Sequence, residues 1–344
     1  MDNYLTDFRR HCQEEALEVI WRQWCSLGVA GHARPASARY LVDLEALILA
    51  TTSIGRYDPR LFDKALDWLS RYGTLVNIQR LKNLGKATDL GDTEVLSALA
   101  EWLVTRGKQP RWKAMISRAG AGQEPEPLFH SSFRGQPESP DPVFRKHRLL
   151  RPVVAPRGMS QAPEPIGANL MVTFRALIGV SARVEIILCL AGGTIRNSSE
   201  IARIIGYAPR TVQGLLQEMA LSGQVLASDA LEPRPGVSRY YQVKPADWAF
   251  LSNGASFPEW FPWAQVFGLV KHVLDAIPET GEKSRHPAVI SSSLRNVLQG
   301  YAGALSQSEV LRWLEVRGAM KGEDLLRVLS VTLPSLLRRL QGPT

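Results

Sequence analysis

The stretch Ser198–Val225, SSEIARIIGYAPRTVQGLLQEMALSGQV, decides the fold. Asn197-Ser-Ser-Glu200 has the spacing of a capping box, with Asn197 at the cap and Glu200 reaching back to it. Ile201, Ile204 and Ile205 then form the inner face of a short helix. Gly206 ends that helix, being the residue that most readily takes a positive φ. Pro209 suits the first turn of a second helix, where its missing N–H is no loss. In that second helix Val212, Leu215, Leu216, Met219 and Ala220 fall at i, i+3, i+4, i+7 and i+8, a full apolar stripe. Its opposite face carries Arg210, Gln213, Gly214 and Gln217, with Thr211 to one side. Those side chains match the donors and acceptors of base edges and phosphates, and Gly214 lets the backbone come close to a groove wall. Gly223 stops the helix.

The flanks extend the pattern. Upstream, SARVEIILCLAGG predicts a buried helix with Val184, Ile187 and Leu188 inward. Downstream, QVLAS predicts a strand, DALEPRPGV a turn-rich loop and SRYYQV a returning strand. On these residues the segment Ser181–Val243, about a fifth of the chain, resembles the winged helix-turn-helix domains of the MarR and ArsR families of bacterial regulators. The likeness rests on GYAPRTVQ, the stop at Gly223 and the complete hairpin. Two residues depart from it: Ala208 stands where such domains usually carry a Ser or Thr cap, and Glu218 adds an acid near the exposed face. The resemblance implies that Pro209–Gly223 is the recognition helix and Asp229–Arg239 the wing. It further implies that Arg210, Thr211, Gln213 and Gln217 face the major groove, with Arg234 and Arg239 on phosphate or the minor groove. A winged helix also serves as a protein-contact module in larger assemblies, and that is the alternative reading.

The surrounding chain reads as mainly α. Residues 1–119 form a helical domain, with Leu17, Ile20, Trp21 and Trp24, and later Leu96, Leu99 and Leu103, at helical spacing. Within it, residues 37–84 lay over the central unit: Pro59-Arg60 precedes Gly73 by the step that separates Pro209-Arg210 from Gly223. That suggests a degenerate second winged-helix-like unit, with Asp63 and Asp67 on its exposed face and a role in packing or in holding a protein partner. Residues 120–169 are proline-rich and read as a linker that could also strap across a neighbour. Inside it Arg145, Lys146, Arg148, Arg151 and Arg157 form a basic run, either a solvated strap or an arm on phosphate. The winged unit occupies 170–247 and a helical region 248–344. The last helix is apolar at Leu325, Leu329, Leu336 and Leu340, a candidate homodimer interface, and Pro334 is expected to kink or break it.

The chain of 344 residues carries a formal net charge of +8, which favours an acidic partner such as double-stranded DNA. Its opening residues lack an apolar signal core and no apolar run is long enough for a membrane span, so a cytoplasmic protein is expected. The three cysteines Cys12, Cys25 and Cys189 read as reduced thiols. No phosphate loop or GxSxG elbow is present and the histidines are scattered, so neither an enzyme, a cofactor nor a metal is expected. Trp248, Trp260, Trp263 and Trp313 are the candidates for a ligand-sensing pocket, weighed against ordinary core.

Overall fold

A computed structural model describes residues 2–31, 35–117, 124–130, 138–192, 195–234, 237–248, 250, 257–277, 286–306, 308–316 and 320–342. The protein is mainly helical. Among the described residues no helix is long and apolar enough to cross a membrane.

The N-terminal part contains α1 (Asp2–Ser26), α2 (Leu44–Ser53), α3 (Pro59–Tyr72), α4 (Ile78–Thr88) and α5 (Thr93–Thr105). Each of α2 to α5 starts at a side-chain cap, from Asp43, Asp58, Asn77 and Asp92 in turn. Such caps satisfy backbone N–H groups that the first turn leaves without partners.

The expected repeat at 37–84 does not carry a wing. Gly73 has φ −60°, whereas Gly223 has φ +73°. After Gly73 the chain makes a 3-10 turn, Gly73–Leu75, and enters α4 where the central unit has a hairpin. The glycine is there for space, since a Cβ would sit 3.0 Å from Trp112 Nε1.

The proline-rich segment is a bound strap over 138–169. It includes α6 (Pro142–Lys146) and a short parallel pairing of β1 (Glu126–Pro127) with β2 (Leu149–Leu150). Arg151 is buried among Phe62, Phe129 and Phe144, with its centre 4.9 to 5.8 Å from the ring centroids, and pairs with Asp63 at 2.5 Å. Asp141 pairs with Arg106 at 2.6 Å and Lys146 with Glu101 at 2.8 Å. Asp67 accepts the N–H groups of Arg157, Gly158 and Met159 at 2.6, 2.7 and 3.0 Å, and the Ser160 hydroxyl at 3.1 Å. Asp63 and Asp67 are therefore used inside the molecule, and Arg151 and Lys146 are committed to protein acids rather than phosphate.

The strap leads into α7 (Leu170–Ile178), then the central unit, α11 (Pro245–Trp248), α12 (Trp263–Ala276), α13 (Pro287–Leu305), α14 (Val310–Leu314) and α15 (Gly322–Leu340). The two end regions expected as separate domains are one helical body. Helix α15 packs along α1, and α12 packs on α1 and α2. The Trp263 indole N–H donates to the Leu41 carbonyl at 2.7 Å. Leu325, Leu329, Leu336 and Leu340 are buried inside the chain, so this stripe is core and not a free dimer face. Helix α15 runs unbroken through Pro334. Burial of Leu333, Leu336 and Leu337 on both sides of it offsets the roughly 3 kcal/mol that an internal proline costs.

The strap carries a pH dependence of definite sign. Burial alone would raise the Asp67 carboxyl, but the N–H groups of 157–159 and the Ser160 hydroxyl hold it below its usual value of 3.8. A group depressed in the fold contributes its stability above the unfolded pKa and loses it as pH falls through the folded one. The protection of the Arg157–Met159 amides, measured against their intrinsic exchange rate at each pH, is therefore expected to be full above pH 3.8 and to fall below it. Asp67→Asn should show the reduced protection already at neutral pH; unchanged protection there would mean that other contacts hold the strap.

Candidate nucleic-acid interface

The central unit is built from α8 (Ala182–Ala191), β3 (Arg196–Asn197), α9 (Ser198–Ile205), α10 (Pro209–Leu221), β4 (Leu226–Arg234) and β5 (Val237–Gln242). The capping box at the start of α9 is formed in both directions. Asn197 Oδ1 accepts the Glu200 N–H at 3.0 Å, and Glu200 Oε2 accepts the Asn197 N–H at 3.1 Å. Gly206 then takes φ +76°, and a Cβ there would lie 2.7 Å from Leu84 Cδ2 of α4. Both the turn and the close approach require glycine.

Helix α10 begins at Pro209 with no side-chain cap from Ala208. Val212, Leu216 and Met219 are buried, while Leu215 and Ala220 are half-buried. The helix packs on α8 and α9. Arg210, Thr211, Gln213 and Gln217 are exposed on the other side, and Gly214 is half-buried among them. A Cβ at Gly214 would meet nothing within 4 Å, so it leaves the outward surface low without any internal packing need. Arg203, exposed on α9, makes no ion pair among the described residues and was missed in the sequence. Its position on the polar side of Ile201, Ala202 and Ile205 is the signal that could have found it.

The strands form one sheet in the order β3-β5-β4, antiparallel throughout, with Asn197 opposite Tyr240 and Ser228 opposite Tyr240 on the other edge. The hairpin is longer than its sequence suggests. Residues expected to be loop, from Asp229 onward, continue the strand to Arg234, with a register irregularity between Asp229 and Arg234. Tyr241 is buried and anchors the sheet, while Arg239 is exposed and pairs with Asp229 across the strands at 3.4 Å. The Arg234 side chain lies outside the described residues. Glu218 does not stand unpaired on the exposed face, because Arg183 of α8 binds it. Residues 181–243 contain six arginines and five acids, so the unit itself carries a net charge of only +1.

The turn between α9 and α10 is held by the helical body. Arg80 Nε donates to the Ile205 carbonyl at 2.7 Å, Asn83 Nδ2 to the Gly206 carbonyl at 3.3 Å and Asn77 Nδ2 to the Tyr207 hydroxyl at 2.5 Å. Behind them lies a buried ion network. Arg80 binds Asp43 and Glu45, and Arg175 binds Glu45 and Glu185. Burial alone would raise the Glu45 carboxyl, but Arg175, Arg80 and the Asn77 N–H hold it well below its usual range. Burial and the neighbouring Glu185 push the Tyr207 phenol upward, keeping its proton on.

Of the four tryptophans, Trp263 is core, Trp248 stacks on Phe174 with centroids 6.1 Å apart, and Trp313 lies under Arg339. Trp260 lines a cleft of about 520 Å³ between the central unit and the C-terminal helices, together with Tyr40, Arg196 and Arg312. Comparison with known proteins finds no matching family model, no matching curated protein and no matching solved structure.

The two sets of arginines should separate by stability. Arg175→Ala leaves Glu45 and Glu185 buried without their partner and is expected to cost about 3–5 kcal/mol. Arg210→Ala, on an open surface, should stay within about 0.5 kcal/mol. Chemical denaturation of both variants checks this; equal losses would mean that Arg210 also holds the fold.

Proposed function

We infer that the protein reads DNA sequence as a transcriptional regulator, placing α10 in a major groove and the β4–β5 hairpin along the backbone. The observation that carries this reading is the outward face of α10. Arg210, Thr211, Gln213 and Gln217 stand exposed around Gly214, while the opposite stripe is the core of the unit. Arginine and glutamine reach guanine and adenine edges with paired hydrogen bonds. Arg203 lies on the preceding helix, which in such docking crosses the phosphate backbone. One short helix reads only a few base pairs, so a site of useful length calls for two copies on two half-sites. The protein-contact reading keeps two specific supports: the unit is nearly neutral, and Leu221 at the end of α10 is 90% exposed.

Binding across a salt series, with matched and scrambled duplexes, tests the reading. Arg210→Ala or Gln217→Ala should cost about 1–3 kcal/mol on the matched duplex and leave the melting temperature nearly unchanged. Leu216→Ala should instead destabilise the fold by about 2–5 kcal/mol through its cavity. Arg239 must leave Asp229 to reach a phosphate, so Asp229→Asn should tighten binding to every sequence by about 0.5 kcal/mol. A wild type that binds no duplex at low salt, or binds equally well without Arg210 and Gln217, would hand the face to the protein-contact reading.

A further inference from the structure

The strap builds a second surface, which the groove reading does not use. From Val153 to Ser160 it runs over α3 without helix, turn or bend. A cleft of about 410 Å³ opens there, lined by Arg60, Lys64 and Arg157, by Val153 and Met159, and by the two acids Asp63 and Asp67. Those acids are already spent: Asp63 on Arg151, and Asp67 on the backbone and hydroxyl of the strap. Arg60, Lys64 and Arg157 make no ion pair among the described residues. The cleft thus presents three cations whose counter-charges lie elsewhere. Its apolar lips are open as well, Val153 being 53% and Met159 60% exposed.

The strap's own backbone is engaged at the start of this run, with Pro152 bridged antiparallel to Pro140 and the Val154 carbonyl accepting from Arg106 at 3.0 Å. What the cleft offers a ligand is therefore its side chains.

We propose that this cleft docks an extended acidic segment of a partner protein. The segment sets carboxylates on Arg60, Lys64 and Arg157 and lays apolar side chains on Val153 and Met159. The charges steer and orient it, and the apolar contacts select it. A phosphate backbone would use the cations but would gain nothing from the apolar lips.

The test is panning of a random-peptide display library on the full-length protein and on Lys64→Glu/Arg157→Glu. The strap's hold on Asp67 comes from backbone groups at 157–159, so the double variant should keep its melting temperature. If it does not, Lys64→Ala and Met159→Ser serve singly. Wild type should enrich peptides that alternate acids with apolar residues, and a labelled peptide from that set should bind the variant about tenfold more weakly. Arg210→Ala should bind the peptide like wild type, so this result is independent of duplex binding. No enrichment, an enriched set that is neutral or basic, or equal binding to the variant would overturn the proposal. A duplex oligonucleotide that displaces the peptide from wild type and fails to bind the variant would overturn it too, making the cleft a nucleic-acid contact.

Discussion

Two arginines and three acids, all buried, set the orientation of everything else. Taking a charge from water costs several kcal/mol even after relaxation, and attraction repays this only where every lone pair and proton finds a partner. Glu45 meets that condition. Oε1 takes the Asn77 N–H at 2.8 Å and Arg175 Nη1 at 2.7 Å; Oε2 takes Arg80 Nη1 at 2.6 Å and Arg175 Nη2 at 2.8 Å. An apolar cluster of equal volume could give as much stability, but it would not fix angles. The ion network joins α2, α4 and α7 to α8 and, through the Ile205 carbonyl, to the turn before α10. The central unit is therefore carried on the helical body at a set angle, and not on a hinge.

The strap follows the same logic over α3 and α5. Arg151 is held by one carboxylate and three aromatic faces, and Asp67 by four donors. In both places a charge is buried because partners travel with it, although Arg151 Nη1 has no hydrogen bond and meets only the aromatic rings. The difference lies in what the partners are. The network at Glu45 is mainly side chain to side chain and tolerates no loss, whereas Asp67 is bound mainly by backbone. Side chains along the strap can vary while its path stays.

Local features were legible in the sequence and distant ones were not. Asn197 with Glu200, Gly206, Pro209 and Gly223 each act within a few residues, so spacing alone reveals them. The apolar stripe of α15 was legible as a stripe; that α1 covers it was not, because a stripe records its need for a partner without naming one. Glu45 and Arg175 stand 130 residues apart, and nothing near either marks it as buried. The first strand of the wing was read short because Pro233, Pro235 and Gly236 look like a loop, yet pairing with β5 carries it to Arg234. In the strap, the prolines hid a path fixed by Asp63 and Asp67 on another element.

The charge distribution bears on how such a unit could read DNA. The chain as a whole is at +8, and the central unit at +1, with Arg183 and Arg239 each occupied by an acid. Affinity for phosphate grows with the number of counterions released, and each neutralised phosphate steepens the salt dependence by about 0.9. On the proposed reading, a unit whose open cations among the described side chains are Arg203 and Arg210 would release few, and non-specific binding would be weak. What remained would have to come from base edges, through the polar face around Gly214, and from a second copy engaging a second half-site. Weak phosphate contact with fixed helix orientation favours discrimination over grip: a misplaced base loses a paired hydrogen bond, and little electrostatic binding is left to hold the complex at the wrong site.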